Sequence, residues 1–189
     1  MATIREGNKR ALVVVDVQVG VMDSAWDADR VIANVARTVE NARANNVPVI
    51  WVQHSDGELQ MGSDAWQWVP SLTQRDDETV VHKQHECSFE ETNLEHALAA
   101  HDASHIVLAG AATNWCIRAT AYGALDRGYD LTLVSDAHTT GDMDLGNGEM
   151  IPARNFVIDL NVAMTWLSYP GRSTTTAKAD EIEFAAASA

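Results

Sequence analysis

Apolar residues in this chain follow two rhythms that alternate along its length. Short unbroken runs, such as Ala11–Val15 (ALVVV), have no polar face and predict strands buried on both sides. Longer stretches repeat apolar residues every three or four positions. Val31, Val35, Val39 and Ala42 do so between Asp27 and Asn46, which predicts a helix. Further strands are expected at Val47–Val52, Thr79–His82, Ile106–Ala109 and Leu131–Val134. Thr92 and Glu95 have the spacing of a capping box opening a helix that runs to about Ala100. After the small-residue turn Gly110-Ala111-Ala112, another helix is expected from Thr113 or Asn114 to Arg127, stopped by Gly128. A last one covers Ala153–Leu167, before Pro170-Gly171. This alternation predicts an α/β fold with three α/β/α layers and a mostly parallel, Rossmann-like sheet, in one domain over residues 1–189. In such sheets ligands bind beyond the carboxyl ends of the strands.

Two segments break the rhythm. His54–Glu78 is long and weakly periodic, with Gly57, Gly62, Trp66, Trp68 and Pro70, and reads as either a binding loop or an irregular packed segment. From about Ser173 the chain is a Thr- and Ala-rich tail in which Ile182 and Phe184 suggest a short edge strand.

Composition narrows the class. The 189 residues include 27 acidic and 13 basic ones, a formal charge of −14, which gives no basic face for nucleic acid or an anionic membrane. Cys87 and Cys116 form no CxxC or metal-type cluster, and no apolar leader core opens the chain, so the expected compartment is the reducing cytoplasm. No glycine-rich nucleotide motif is present, and no cofactor is expected.

Three residues at strand ends carry candidate chemistry. Cys116 falls in the first turn of its expected helix, where free N–H groups and the dipole favour an anion. A thiolate nucleophile is one reading, and a small packing cysteine is the other. Asp16 directly follows ALVVV and reads as a proton acceptor or as a turn aspartate. Lys83 follows VVH and is one of three lysines, the other two (Lys9 and Lys178) lying near the termini. If buried it needs a carboxylate, and Asp16 is the natural one. Together they suggest acyl transfer from an amide, the lysine and the helix dipole lowering the thiol pKa and the aspartate relaying a proton. Backbone N–H groups of the Gly110–Cys116 turn are the candidate oxyanion donors.

The pieces ALVVVDVQ, VVHKQHECSFEETNLEHAL, IVLAGAATNWCIRATAYGALDRGYDLTLVSDAHTT and NVAMTWLSYPGR resemble the isochorismatase-like cysteine hydrolases, the superfamily that also contains nicotinamidases. The resemblance implies a catalytic triad of Asp16, Lys83 and Cys116, a cis peptide between Ala111 and Ala112, and an oxyanion held by the N–H groups of Ala112 and Cys116. Nicotinamidases carry an Asp-x-His metal motif after the second strand. Here WVQHSDGEL has His54 and Asp56 in the other order, which predicts no catalytic metal. Isochorismatases proper commonly lack the cysteine. GSDAWQWVPSL, HKQHECSFEET and SYPGR look closest to the streptothricin-hydrolase-like branch.

The expected function is therefore metal-independent hydrolysis of a small carboxamide or cyclic amide through a thioester. Isochorismate-type vinyl-ether hydrolysis and a non-catalytic thiol redox or ligand-binding protein are the alternatives. His54, Trp66, Phe89 and Trp115 are expected to line the substrate pocket, as is Trp68, although plain packing explains each aromatic equally well. His85 reads as substrate contact or exposed loop histidine, Cys87 as core or pocket wall, and Asp136 and His138 as turn and packing residues. A homodimer or homotetramer is expected from the family resemblance and from Trp66, Trp68 and Trp166, with a small-molecule substrate as the other partner.

Overall fold

The computed structural model describes residues 2, 4, 5 and 7–184. In chain order the elements are β1 (Lys9–Val15), α1 (Val19–Met22), α2 (Ala28–Ala44), β2 (Val49–His54), β3 (Thr79–Lys83), α3 (Leu94–Ala100) and β4 (Ala103–Ala111). A π-helical turn (Thr113–Ile117) leads into α4 (Arg118–Asp126), followed by β5 (Asp130–Thr139), the two-residue strands β6 (Met143–Asp144) and β7 (Met150–Ile151), α5 (Ala153–Trp166) and β8 (Thr174–Ala177).

Six strands form one sheet in the order β3-β2-β1-β4-β5-β8, every pairing parallel. Parallel neighbours need crossovers, and the crossovers coat both faces. Ala11, Val13 and Val15 of β1 point to the face covered by Leu94 and Leu98 of α3, Ala121 and Leu125 of α4, and Leu160 and Met164 of α5. Leu12 and Val14 point to the opposite face, covered by Val31, Val35, Val39 and Ala42 of α2. Side chains alternate across a strand, so a run without polar residues is what a sheet covered twice requires.

Strand order reverses direction between β1 and β4, because β2 and β3 lie on one side of β1 and β5 and β8 on the other side of β4. This switch point opens a crevice at the carboxyl ends of the strands. Val15 pairs with Val52 and Gly110 there, and His54 pairs with Lys83.

Three local expectations are corrected. The capping box does not form: Thr92 Oγ1 accepts the N–H of Leu94 at 3.2 Å, while Glu95 pairs with Arg5 and Arg127. Ile182 and Phe184 form no strand but bury their side chains in coil on the α2 face, and the edge strand is Thr174–Ala177 instead. The last residues of the tail, 185–189, lie outside the described residues. The helix expected from Thr113 begins as a π-helical turn. Among the described residues no helix is long and apolar enough to cross a membrane.

Candidate active site

The three strand-end residues meet in the crevice. Asp16 is the first residue past β1, is buried, and takes a left-handed φ of 51°, which aspartate tolerates better than β-branched residues do. Its N–H donates to the carbonyl of Val52 at 2.9 Å, holding the turn against β2. Lys83 closes β3. That strand lies two places from β1, roughly 10 Å away at ordinary strand spacing, so a long side chain is needed to bridge the gap. Lys83 Nζ reaches to 2.7 Å from Asp16 Oδ2, and both side chains are shielded from solvent.

The Lys83 ammonium has four neighbours. Besides Asp16 Oδ2, it lies 3.2 Å from Cys116 Sγ, 3.2 Å from His54 Nδ1 and 3.1 Å from the carbonyl of His85. An ammonium has three hydrogens, so the four cannot all be hydrogen-bonded at once. The three contacts other than Asp16 have good hydrogen-bond geometry. Asp16 Oδ2 keeps the shortest contact with the ammonium, but one less well aligned than the other three.

Cys116 stands on the π-helical turn, next to β4. The Ala111–Ala112 peptide is cis. Ala112 O accepts the N–H groups of Trp115 and Ile117, both at 3.1 Å, closing the turn around the cysteine. Gly110, with φ 127°, allows β4 to pass β1, since a Cβ there would lie 2.0 Å from the carbonyl oxygen of Val15. The turn is also held from β5. Thr113 Oγ1 donates at 2.9 Å to Nδ1 of the buried His138, whose Nε2 donates to Asn161 Oδ1 at 3.1 Å. Thr140 Oγ1 donates to Asn114 Oδ1 at 2.6 Å. His138 therefore braces the start of the turn that carries Cys116, a more specific role than general packing. Asp136, expected in a turn, lies within β5 instead, and its carboxylate accepts the N–H of Ala179 from the distant C-terminal segment.

The electrostatics correct the expectation of a lowered thiol pKa. Burial pushes the Cys116 thiol up to about 12, the Asp16 charge pushes the same way, and Lys83 opposes them without winning. Burial also raises the Asp16 carboxyl against the pull of Lys83. Burial lowers Lys83, but the charges of Asp16 and Cys116 outweigh it and the ammonium is held. The resting site thus holds a neutral thiol beside a carboxylate prone to take a proton.

Two further residues complete the frame. Gln18 is fully buried, and its side-chain amide clasps the His54 backbone, accepting its N–H at 2.9 Å and donating to its carbonyl at 3.0 Å. The same amide donates to Trp66 O at 2.8 Å, tying the long loop to the site. The sequence signal was a lone amide among apolar residues, two places after Asp16. His54 sits between Lys83 at Nδ1 and Asp56 Oδ2, 3.0 Å from Nε2. Both of its ring nitrogens are thereby engaged, which leaves the ring itself as what it can offer a pocket wall.

A profile of the isochorismatase domain matches residues 10–158, which include all three strand-end residues. The chain belongs to the isochorismatase family. It is 30% identical over 141 residues to the secreted isochorismatase effector Isc1 of Verticillium dahliae, covering 71% of this chain and 73% of that one. It is 32% identical over 154 residues to a streptothricin hydrolase of Streptomyces noursei, covering 76% of this chain but only 60% of that relative's length. The fold matches that of an isochorismatase from Pseudomonas putida KT2440 with a TM-score of 0.82 at 24% identity, over 92% of this chain and 89% of that one.

On this isochorismatase-family scaffold the aromatic candidates divide. Phe89 is buried in the core against Tyr129, with Arg127 over its ring, and is a packing residue. Trp66 stacks on His82 and Trp68 meets Trp51 at a tilt of 52°, so their rings serve internal packing. Trp115, beside Cys116, is 53% exposed and with Arg118, Met143 and Phe156 lines a cleft of about 460 Å³. On the side of His54, a cleft of about 590 Å³ runs between Asp56, Gln60, Met61 and His85. The His85 ring points to Glu91, and its carbonyl accepts from Lys83. Cys87 packs against the core as expected, at Gly123. A larger cavity of about 740 Å³ adjoins Asn8 and Ala103, at the amino ends of β1 and β4, away from this chemistry.

Proposed function

We propose that this isochorismatase-family chain is a cysteine hydrolase that cleaves the C–N bond of a small carboxamide or cyclic amide. The observation that carries the proposal is the buried cluster in which Lys83 Nζ lies 3.2 Å from Cys116 Sγ and 2.7 Å from Asp16 Oδ2. The thiol passes its proton to Asp16 as Sγ bonds to the carbonyl carbon, and Lys83 balances the charge that moves. The N–H groups of Ala112 and Cys116 receive the oxyanion. The C–N bond then breaks, and the Asp16 proton goes to the departing nitrogen. Water loses a proton to Asp16 and attacks the thioester. The C–S bond breaks, the acid leaves, and Asp16 returns the proton to sulfur.

A raised thiol pKa suits this sequence. Both the resting state (carboxylate, ammonium, thiol) and the reacting state (carboxylic acid, ammonium, thiolate) are neutral overall, so the proton moves within a dry site without creating net charge. A relative named ureidoacrylate amidohydrolase, 26% identical over 208 residues, supports an amide as the bond cleaved. The reaction is proposed to need no metal, because both His54 nitrogens are occupied, and among the described residues no three His, Cys, Asp or Glu side chains form a ligand set. The cytoplasm is the proposed compartment, on the two free thiols.

An assay of primary amides, cyclic amides and ureides, run with and without a chelator, tests the proposal. At least one amide should be hydrolysed, with chelator making no difference and Cys116→Ala abolishing turnover. Vinyl-ether hydrolysis that persists in Cys116→Ala would replace this reading.

We also propose a homo-oligomer. Ile158, Val162 and Trp166 form an exposed apolar stripe at four-residue spacing on α5 (Trp166 is 80% exposed), and Trp115 is exposed as well. Light scattering on the wild type and Trp166→Glu tests it. A wild-type monomer of 20.6 kDa would remove it.

A further inference from the structure

The Lys83 ammonium has one acceptor too many, and Asp16 is the one left short. Of its four neighbours, two take no part in the proposed bond changes, His54 Nδ1 at 3.2 Å and the His85 carbonyl at 3.1 Å. Each holds one hydrogen. A single hydrogen remains for Cys116 Sγ and Asp16 Oδ2 together, and it aligns on the sulfur. Asp16 Oδ2 lies 2.7 Å from the cation but out of line with that hydrogen, and the Cys116 thiol is the other donor within reach of the carboxylate. Hydrogen bonds to a carboxylate stabilise its charged form, so one that lacks them is a stronger base.

We infer that His54 is a positioning residue: by accepting one Lys83 hydrogen at Nδ1 it keeps Asp16 under-bonded and therefore able to take the Cys116 proton. This rests on the reading of Asp16 as proton acceptor. The surroundings of His54 are built for the role. An imidazole nitrogen that accepts from an ammonium carries no hydrogen, so the ring proton is on Nε2, facing Asp56 Oδ2 at 3.0 Å. Asp56 is itself fixed, its Oδ1 accepting the N–H groups of Glu58 and Leu59 at 2.8 and 2.6 Å. These bonds, Leu59 first and against some burial, hold its carboxyl below the usual range, and it stays an acceptor for Nε2–H. Gln18 clamps the His54 backbone from both sides, and strand pairing sets His54 directly opposite Lys83. Tautomer, ring position and backbone are each determined from outside the triad.

Without His54, Lys83 has a hydrogen free to bond Asp16 squarely. The ion pair becomes tighter, Asp16 less basic, and proton transfer from the thiol slower. Asparagine and leucine are nearly the same size, and asparagine sets an oxygen close to where Nδ1 stands, so the two variants differ chiefly in the acceptor. The test compares His54→Asn with His54→Leu, by the rate of iodoacetamide alkylation of Cys116 (resolved from Cys87 by mass spectrometry) and by kcat and KM on a hydrolysed amide. In His54→Leu both the alkylation rate and kcat should fall about tenfold or more with KM within about twofold, whereas His54→Asn should stay within about threefold of wild type. Equal behaviour of the two variants in alkylation would overturn the inference, as would a loss confined to KM, which marks a substrate contact. Asp56→Ala, on an exposed side chain, gives a second reading should His54→Leu not fold: it should slow alkylation less than His54→Leu, and wild-type rates would count against the tautomer lock. Alkylation needs no substrate, so it reads the inference even if no amide is hydrolysed.

Discussion

Asp16 and Lys83 face each other across 2.7 Å with neither side chain reaching solvent, and Cys116 Sγ touches the same ammonium at 3.2 Å. The carboxylate and the thiol therefore compete for one cation. Removing the carboxylate should lower the thiol pKa and yet slow the reaction.

Asp16→Asn removes the charge that, after burial, does most to raise the Cys116 pKa, and leaves Lys83 to lower it. The pH midpoint of Cys116 alkylation should move below that of the wild type, even as the rate at neutral pH falls for want of a proton acceptor. Hydrolysis should fall by about 10²–10⁴, the usual contribution of a proton-transferring group. A midpoint that does not move would show that Asp16 does not hold the thiol protonated.

Lys83→Met leaves the Asp16 charge buried and uncompensated. The variant should lose about 3–5 kcal/mol of unfolding free energy near neutral pH. With the lysine gone, burial raises the Asp16 carboxyl further, so the folded state holds a proton that the unfolded chain releases near 3.8. Stability then falls as pH rises through that window, and the deficit is larger at neutral than at acid pH. Lys83→Met combined with Asp16→Leu should recover much of the loss in denaturant unfolding.

Acid destabilises the wild type through His138. Burial lowers its pKa from 6.5 to about 4, the Asn161 hydrogen bond only partly opposing this. The unfolded chain therefore binds the proton first, and stability falls as pH drops from 6.5 to 4. Burial, aided by the charge of Arg10, lowers His105 to about 4 as well, so it adds to the same slope. His138→Asn should flatten the unfolding free energy against pH over this range by on the order of 3 kcal/mol at most. An unchanged slope would refute the assignment.

Gly110→Ala places a Cβ 2.0 Å from the carbonyl oxygen of Val15, a backbone atom at the centre of the sheet, at a φ of 127° that alanine rarely adopts. A loss above about 4 kcal/mol, or no folded protein, is expected from thermal and denaturant unfolding. Near-wild-type stability would mean that β1 and β4 are not held this close.

The sheet was legible where burial on both faces removed every polar residue, as in Ala11–Val15 and Ile106–Ala109. The edge was not: Thr174–Ala177 is a polar strand, paired on one side to β5, while the apolar Ile182 and Phe184 are buried in coil. The meeting of Asp16, Lys83 and Cys116 was legible because Asp16 follows a strand, Lys83 ends one and Cys116 stands on the turn after one. The thiol pKa was not, because burial and the Asp16 charge act through space and reverse what a helix terminus alone suggests. Nor could the chain show that Gln18 clasps His54, 36 residues away, or that His138 braces Thr113.

Intact-protein mass spectrometry of samples quenched in acid during turnover tests the covalent mechanism most directly. With an amide that the protein hydrolyses, the wild type should gain the mass of the acyl group, mapped to Cys116, and Cys116→Ala should gain none. Turnover of the same amide by Cys116→Ala, or an acyl group mapped to any other residue, would contradict the mechanism.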